Sequence, residues 1–247
     1  MSREAPAVVV DDLHVTYRVY EDVRPTLRRF VARGFRPRPH VPVHALRGVT
    51  FTAMPGEAIG VIGRNGSGKS TLMSALAGLL PAERGAVLAA SQPVLLAVGA
   101  ALQGELSGRR NIIIGASALG IAKDDILRQM EGIIDFTGLR ESIDRPLRTY
   151  SSGMAARLQF GIASAVRPDI LLVDEALATG DVEFARRSER RIQDIVESAG
   201  TVFIVSHAAD AIERMTTRTI WIDGGRIAFD GPTRDALEAY ARATDGS

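Results

Sequence analysis

Residues 63–71 read G-R-N-G-S-G-K-S-T, entered by an apolar strand pattern, A-I-G-V-I at 58–62, and left by a helical one carrying Leu72, Leu76 and Leu79. Gly63, Gly68, Lys69 and Ser70 satisfy the spacing G-x-x-x-x-G-K-[ST]. Glycines let a backbone wrap closely around a phosphate. The N–H groups around Asn65, Gly66, Ser67 and Gly68, with the helix N-terminus behind them, supply positive potential. Lys69 can reach the β- and γ-phosphates of a nucleotide, and the Ser70 hydroxyl, followed by Thr71, can ligate Mg²⁺. The plainer alternative is a glycine-rich turn that only caps a helix; the strand before and the helix after argue against it.

Working outward, residues 170–175 read I-L-L-V-D-E, a strand ending in two carboxylates. In phosphate-loop enzymes such an aspartate, here Asp174, holds the Mg²⁺ shell. Glu175 leaves the strand towards the nucleotide, where it could polarise an attacking water. Taken alone, acids that end a strand often only cap the next helix. A third strand, T-V-F-I-V-S, ends in His207. Open α/β sheets bind ligands at this carboxyl edge.

The 247 residues are 46% hydrophobic, 24% charged and 5% aromatic, which fits one or two globular domains. Thirty Lys plus Arg against 29 Asp plus Glu leave a net charge of +1, so no global basic field for nucleic acid is expected. The absence of cysteine excludes disulfides, thiol nucleophiles and iron–sulfur clusters, and is compatible with a reducing cytoplasm. The longest apolar stretch, Pro93 to Leu102, lies between Gln92 and Gln103. A membrane span needs about 20 apolar residues. The start, M-S-R-E-A-P, has no apolar core behind it, so no signal peptide is expected. These features predict a cytoplasmic chain, peripheral to a membrane if it serves one.

Short apolar runs predict strands at Ala58–Ile62, Val94–Val98, Ile170–Asp174, Val202–Ser206 and Thr219–Ile222, with one or two more over 8–20. Helices are expected at Lys69–Leu79, Asp124–Phe136, Gly153–Val166, Glu183–Glu197, Ala208–Met215 and Thr233–Ala243, with a frayed tail from Ala241. This alternation implies a parallel α/β sheet. Between Arg18 and Pro42 lie seven arginines, and the stretch R-P-R-P-H-V-P cannot be helix interior. That basic insertion, about 18–44, is either a solvated loop or a surface facing anionic headgroups or a substrate pyrophosphate. Regular patterning resumes at Ala45-Leu46.

Residues 148–161 read R-T-Y-S-S-G-M-A-A-R-L-Q-F-G, in which Ser151-Ser152-Gly153 opens an amphipathic helix. This is a second potential anion site at a helix start, or an ordinary serine cap. With this signature, a helical insert, the D-E strand and the His207 strand in order behind the phosphate loop, residues 8–231 resemble the nucleotide-binding subunit of ABC transporters. The signature Y-S-S-G-M, N-I at 111–112, I-I-D-F at 133–136, D-R-P-L-R-T-Y-S-S-G-M at 144–154 and D-E-A-L-A-T-G-D at 174–181 are similar to the branch that exports lipid-linked polysaccharides.

The resemblance implies a single phosphate-loop NTPase domain of α/β class over 1–247. It would have a mixed or parallel central sheet, an N-terminal antiparallel β subdomain and a helical subdomain at about 104–166. The carbohydrate-binding domain that follows the ATPase in some exporters is not expected. ATP and Mg²⁺ are the implied cofactors. A second copy in a head-to-tail dimer, a membrane permease subunit and a lipid-linked glycan cargo are the implied partners, at the cytoplasmic face of the membrane. Residue by residue, Lys69, Ser70 and Thr71 match the phosphate and Mg²⁺ groups, Asp174 the strand aspartate, Glu175 the catalytic base and His207 the γ-phosphate switch. Asp181 matches the loop that crosses the dimer interface. Ser151 and Gly153 match signature groups on the partner's γ-phosphate. Tyr17 matches the aromatic that stacks on adenine; a core tyrosine, with His44 as the stacker, is the alternative. The family glutamine would fall near Val98 or Gly99, where neither residue is Gln; Gln103 is the nearest, at the wrong offset. An ABC-type ATPase not coupled to transport and a phosphate-loop kinase are rival readings, and the kinase leaves Y-S-S-G-M unexplained.

An amide cannot orient water as a carboxylate does. Glu175→Gln is therefore expected to bind ATP, hydrolyse it very slowly and accumulate as an ATP-bound dimer in size-exclusion chromatography. Near-normal turnover would remove Glu175 from the role of base.

Overall fold

The computed structural model describes residues 5–20, 40–95, 102–165, 168–174, 182–206 and 208–244. In chain order these form β1 (Val8–Tyr20), β2 (His40–Ala53), β3 (Ala58–Ile62), α1 (Lys69–Leu76), β4 (Arg84–Ala89) and β5 (Val94–Leu95). Then come α2 (Gly108–Ala118), α3 (Lys123–Thr137), α4 (Ser152–Ala163), β6 (Ile170–Val173), α5 (Val182–Ser198) and β7 (Thr201–Val205). The chain ends with α6 (Ala209–Met215), β8 (Arg218–Asp223), β9 (Arg226–Pro232) and α7 (Thr233–Thr244).

The central sheet has the order β5-β6-β7-β3-β8-β9. It is parallel apart from the terminal β8–β9 hairpin. Every residue of β6 and β7 is buried, because this sheet is covered on both faces and its strands need apolar side chains at every position. Ile59, Val61, Phe203 and Val205 point to one face. Val202, Ile204, Leu171 and Val173 point to the other. On the first face lies a three-stranded antiparallel sheet, β2-β1-β4, which supplies Val8, Val10, Leu13, Leu46 and Phe51, while α1 adds Leu72 and Leu76. On the second lie α5 and α6, with Phe184, Ile195 and Ile212. The insert between β5 and β6 builds its own core from Ile112 of α2, Ile126, Met130 and Ile134 of α3, and Leu158 and Ile162 of α4. The mixed sheet, antiparallel subdomain and helical subdomain are the expected ABC ATPase fold.

Several boundaries differ from expectation. Helix α1 stops at Leu76 rather than Leu79, because Gly78 turns left-handed at φ +73° and ends it. The tail expected to fray from Ala241 stays helical to Thr244. Strand β2 begins at His40, paired with Tyr20, not at Ala45; Pro42 is tolerated because β2 is a sheet edge, where a missing N–H breaks no ladder. Three elements were not expected. The run of Ile112, Ile113 and Ile114 hides the helical period of α2. Strand β4 is mostly exposed and is held by its pairing with β1. Strand β9 follows the glycine pair 224–225, a hairpin signal passed over. Of the strand expected at 94–98, residues 96–98 lie outside the described residues, as do 21–39 of the basic insertion.

Gly60 of β3 has no room for a side chain: a Cβ would lie 2.6 Å from Thr219 Oγ1 and 2.9 Å from Ile212 Cγ2. Gly132, inside α3, has nothing within 4 Å. Gly60→Ala is expected to destabilise by about 1–3 kcal/mol through overpacking, and Gly132→Ala to stabilise by about 0.5–1 kcal/mol through helix propensity. Thermal denaturation of the two variants checks the opposite signs.

Candidate nucleotide site

The loop between β3 and α1 owes its shape to where glycine stands. Gly63, Gly66 and Gly68 have φ of +147°, +80° and +112°, values that side chains rarely adopt. A Cβ on Gly63 would lie 2.2 Å from the Ile222 carbonyl, and one on Gly68 2.6 Å from the Ala45 carbonyl. Over Gly66 there is open space. The loop is thus pressed against β2 and β8 on one side and open on the other. The β8–β9 turn braces it: the Gly225 N–H donates to Ser67 O at 2.9 Å, and the Arg47 N–H donates to Gly225 O at 2.8 Å.

Lys69 is 7% exposed. Its Nζ donates to the carbonyls of Gly63 at 2.7 Å and Arg64 at 3.1 Å, which holds the ammonium inside the curve of the loop. Ser67 Oγ is buried without a hydrogen-bond partner. An unpaired hydroxyl in a glycine-rich loop at a helix N-terminus suits an oxygen-rich anion. Ser70 is exposed, one residue into α1, and Thr71 follows. Asp174, half-buried, leaves β6 two strands from β3, in the order β6-β7-β3, so roughly 10 Å separates the two strand axes. A hydroxyl and a carboxylate are hard oxygen donors, and Mg²⁺ is held by one or two such groups together with substrate phosphates. The residues present therefore fit Mg²⁺. Among the described residues no group of three or more His, Asp or Glu could hold a metal without a substrate's help.

Tyr17 is 39% exposed and its hydroxyl lies 3.3 Å from Thr71 Oγ1. It stands beside the loop and not in the core. His44 is exposed, and its Nδ1 lies 2.9 Å from Thr16 Oγ1.

Ser151 caps α4: its Oγ accepts the Met154 N–H at 3.2 Å. The cap satisfies one N–H of the first turn and leaves Ser152 and Gly153 at the helix start. Tyr150 anchors this turn by donating its hydroxyl to Ser142 O at 2.7 Å, and burial pushes that hydroxyl's pKa up. Nearby, the Arg109 guanidinium holds the Asp144 carboxyl below its usual pKa. Buried Asn111 receives the Gln103 N–H and donates to the carbonyls of Gln103, Leu106 and Ser107. The sequence marked Asn111 only as part of a resemblance, and its place directly before the isoleucine triplet 112–114 is the signal for this bracing role. Glu175, Asp181 and His207 lie outside the described residues, as do Val98 and Gly99. Gln103 is exposed at the start of the insert.

Fold and loop together define a nucleotide triphosphatase of the phosphate-loop class. A family model described as ABC transporter matches residues 46–178, more than half of the chain, and the chain belongs to that family as its ATP-binding, ATP-hydrolysing subunit. It is 36% identical over 241 residues to the O-antigen export system ATP-binding protein RfbB of Klebsiella pneumoniae, covering 95% of this chain and 98% of that one. It is 35% identical over 233 residues to the teichoic acids export ATP-binding protein TagH of Levilactobacillus brevis, covering 94% and 64%. Among solved structures, the ATP-binding subunit of an ABC transporter superposes with a TM-score of 0.70 at 20% identity, covering 95% and 93%. A dimeric bacterial ABC transporter cassette superposes at 0.69 and 17%, covering 92% and 99%. At those identities the structural likeness speaks for the fold.

Gly68→Ala keeps the loop's charge but sets a Cβ against the Ala45 carbonyl at a φ that only glycine adopts readily. ATP binding, measured by fluorescent-nucleotide titration, is expected to be lost and the melting temperature lowered, because the clash is with backbone. Retained affinity would show that the loop can shift.

Proposed function

We propose that this chain powers export of a lipid-linked polysaccharide, working as a head-to-tail pair beneath a separate membrane subunit at the cytoplasmic face. The observation that carries this reading is the similarity along nearly the whole length of an O-antigen export ATP-binding protein, supported by the teichoic acid export relatives. Among the described residues no helix is long and apolar enough to cross a membrane, which agrees with a cargo path supplied by another subunit.

Asn65 to Thr71 would hold the ATP phosphates, and Tyr17 the base. Ser70 and Asp174 would hold Mg²⁺, which when bound neutralises charge on the phosphate oxygens. Glu175 orients a water in line with the γ-phosphate. Lys69 would leave its loop carbonyls to meet the developing charge, joined by His207. In the pair, Ser151 and Gly153 at the α4 start complete the site of the other copy, and Asp181 lies at the seam. The α4 start favours an anion because its first-turn N–H groups lack helical partners.

In such a pair, Lys69→Ala and Ser151→Arg lesions fall on the same site, and the other site carries neither. Mixing the two inactive variants is expected to restore part of the ATPase rate, or ATP-dependent dimerisation if turnover needs two intact sites. Verified heterodimers that neither hydrolyse ATP nor close on it would overturn the shared site. Co-purification from membranes, with the bound integral subunit identified and its glycan transport assayed, tests the cargo. Recovery without any membrane partner would favour an ATPase not coupled to transport.

A further inference from the structure

Helix α5 touches the ends of two insert helices, and it does so through charge. Arg187 donates Nη2 to the Asp135 carbonyl in the last turn of α3 at 3.1 Å, and its guanidinium lies 5.4 Å from the centre of the Phe136 ring. One turn on, Arg191 donates Nη2 to the carbonyl of Ser164, the C-cap of α4, at 2.9 Å. Carbonyl ends carry the negative pole of a helix, so both cations stand where the helix dipole favours them. In return, Arg157 of α4 lies 5.4 Å from the Phe184 ring centre on α5. Phe136, Phe160 and Phe184, one from each helix, meet at centroid separations of 5.8, 5.6 and 5.9 Å.

Apolar contact alone would bind these helices without setting their register, since hydrophobic attraction is non-directional. Hydrogen bonds near 3 Å from a planar guanidinium do set it. The location gives the register a consequence. Helix α4 is a rod about 18 Å long, with Ser151 at one end and the Arg191 contact at the other. Helix α5 begins at Val182, joined to Asp174 by the seven residues 175–181, which include Glu175 and Asp181.

We propose that Arg187 and Arg191 are positioning residues for ATP hydrolysis. By locking α5 to the C-terminal ends of α3 and α4, they make the seating of Ser151 decide where the chain leaving Asp174 must arrive. This rests on the roles proposed above for Ser151 and Glu175.

The test is Arg187→Met and Arg191→Met, singly and together in the full chain, variants that keep the side-chain stem and remove the cation and donors. Fluorescent-nucleotide affinity is expected to stay within about twofold, because the Lys69 loop is untouched, while kcat falls about tenfold in the double variant, as small misplacements of catalytic groups do. Arg187→Lys should recover part of the loss. In combination with Ser151→Ala, the effects on kcat should fall short of multiplying, because both lesions break one path. Arg128→Met, an exposed arginine paired within α3 to Asp125, should leave kcat unchanged. A lowered melting temperature with unchanged kcat, or effects that multiply fully with Ser151→Ala, would assign the arginines to stability alone and overturn the proposal. If the double variant does not fold, the single Met and Lys variants decide the same question. Absence of Lys69-dependent ATPase activity in the unmodified chain would instead overturn the proposed function, and this inference with it.

Discussion

The close approach of the 63–68 loop to Ala45 and Ile222 is the constraint on which the rest of the molecule depends. A backbone can come that near two other backbones only where side chains are missing, and Gly63 and Gly68 remove them. The approach has two effects at once. It leaves the loop open over Gly66, and it requires β2 and β8 to arrive at fixed points on either flank. The antiparallel sheet and the β8–β9 hairpin are thus supports of the nucleotide loop as well as covers for the core.

A second consequence concerns Lys69. A buried ammonium costs free energy unless it is paired, and here the loop's own carbonyls at Gly63 and Arg64 supply acceptors. The same curve that accepts an anion thus helps to hold the cation. The charge stays near the place where a phosphate would arrive, and little rearrangement is needed to use it.

The helical insert has a core of its own, with Ile112, Ile134, Leu158 and Ile162 at its centre, so it can behave as a unit. Among the described residues it meets α5 and the sheet through the Phe136–Phe160–Phe184 cluster, Ala163 of α4 and the arginines of α5 and α4. A body with its own close-packed core and directional contacts to its neighbour is suited to passing motion, because packed interiors transmit strain. This is the physical basis for the coupling role proposed for Arg187 and Arg191.

The phosphate loop, the buried parallel strands and the Ser151 cap were legible from residue order alone, because each is local. Glycine at 63 and 68, continuous apolar runs at 170–173 and 201–205, and serine before a helix state their conformations within a few residues. The sheet order, the bracing of the loop by Gly225 and the meeting of three phenylalanines were not legible, because each joins residues far apart in the chain. Helix α2 and strand β4 were missed for a related reason. The isoleucine triplet of α2 blurs its period, and β4 has little apolar pattern and exists through its pairing with β1. By itself the sequence determined the class of chemistry, which resides in backbone-permissive and charged residues at fixed spacing. Tertiary structure alone decided which distant groups support that chemistry, since packing and register are properties of elements brought together in space.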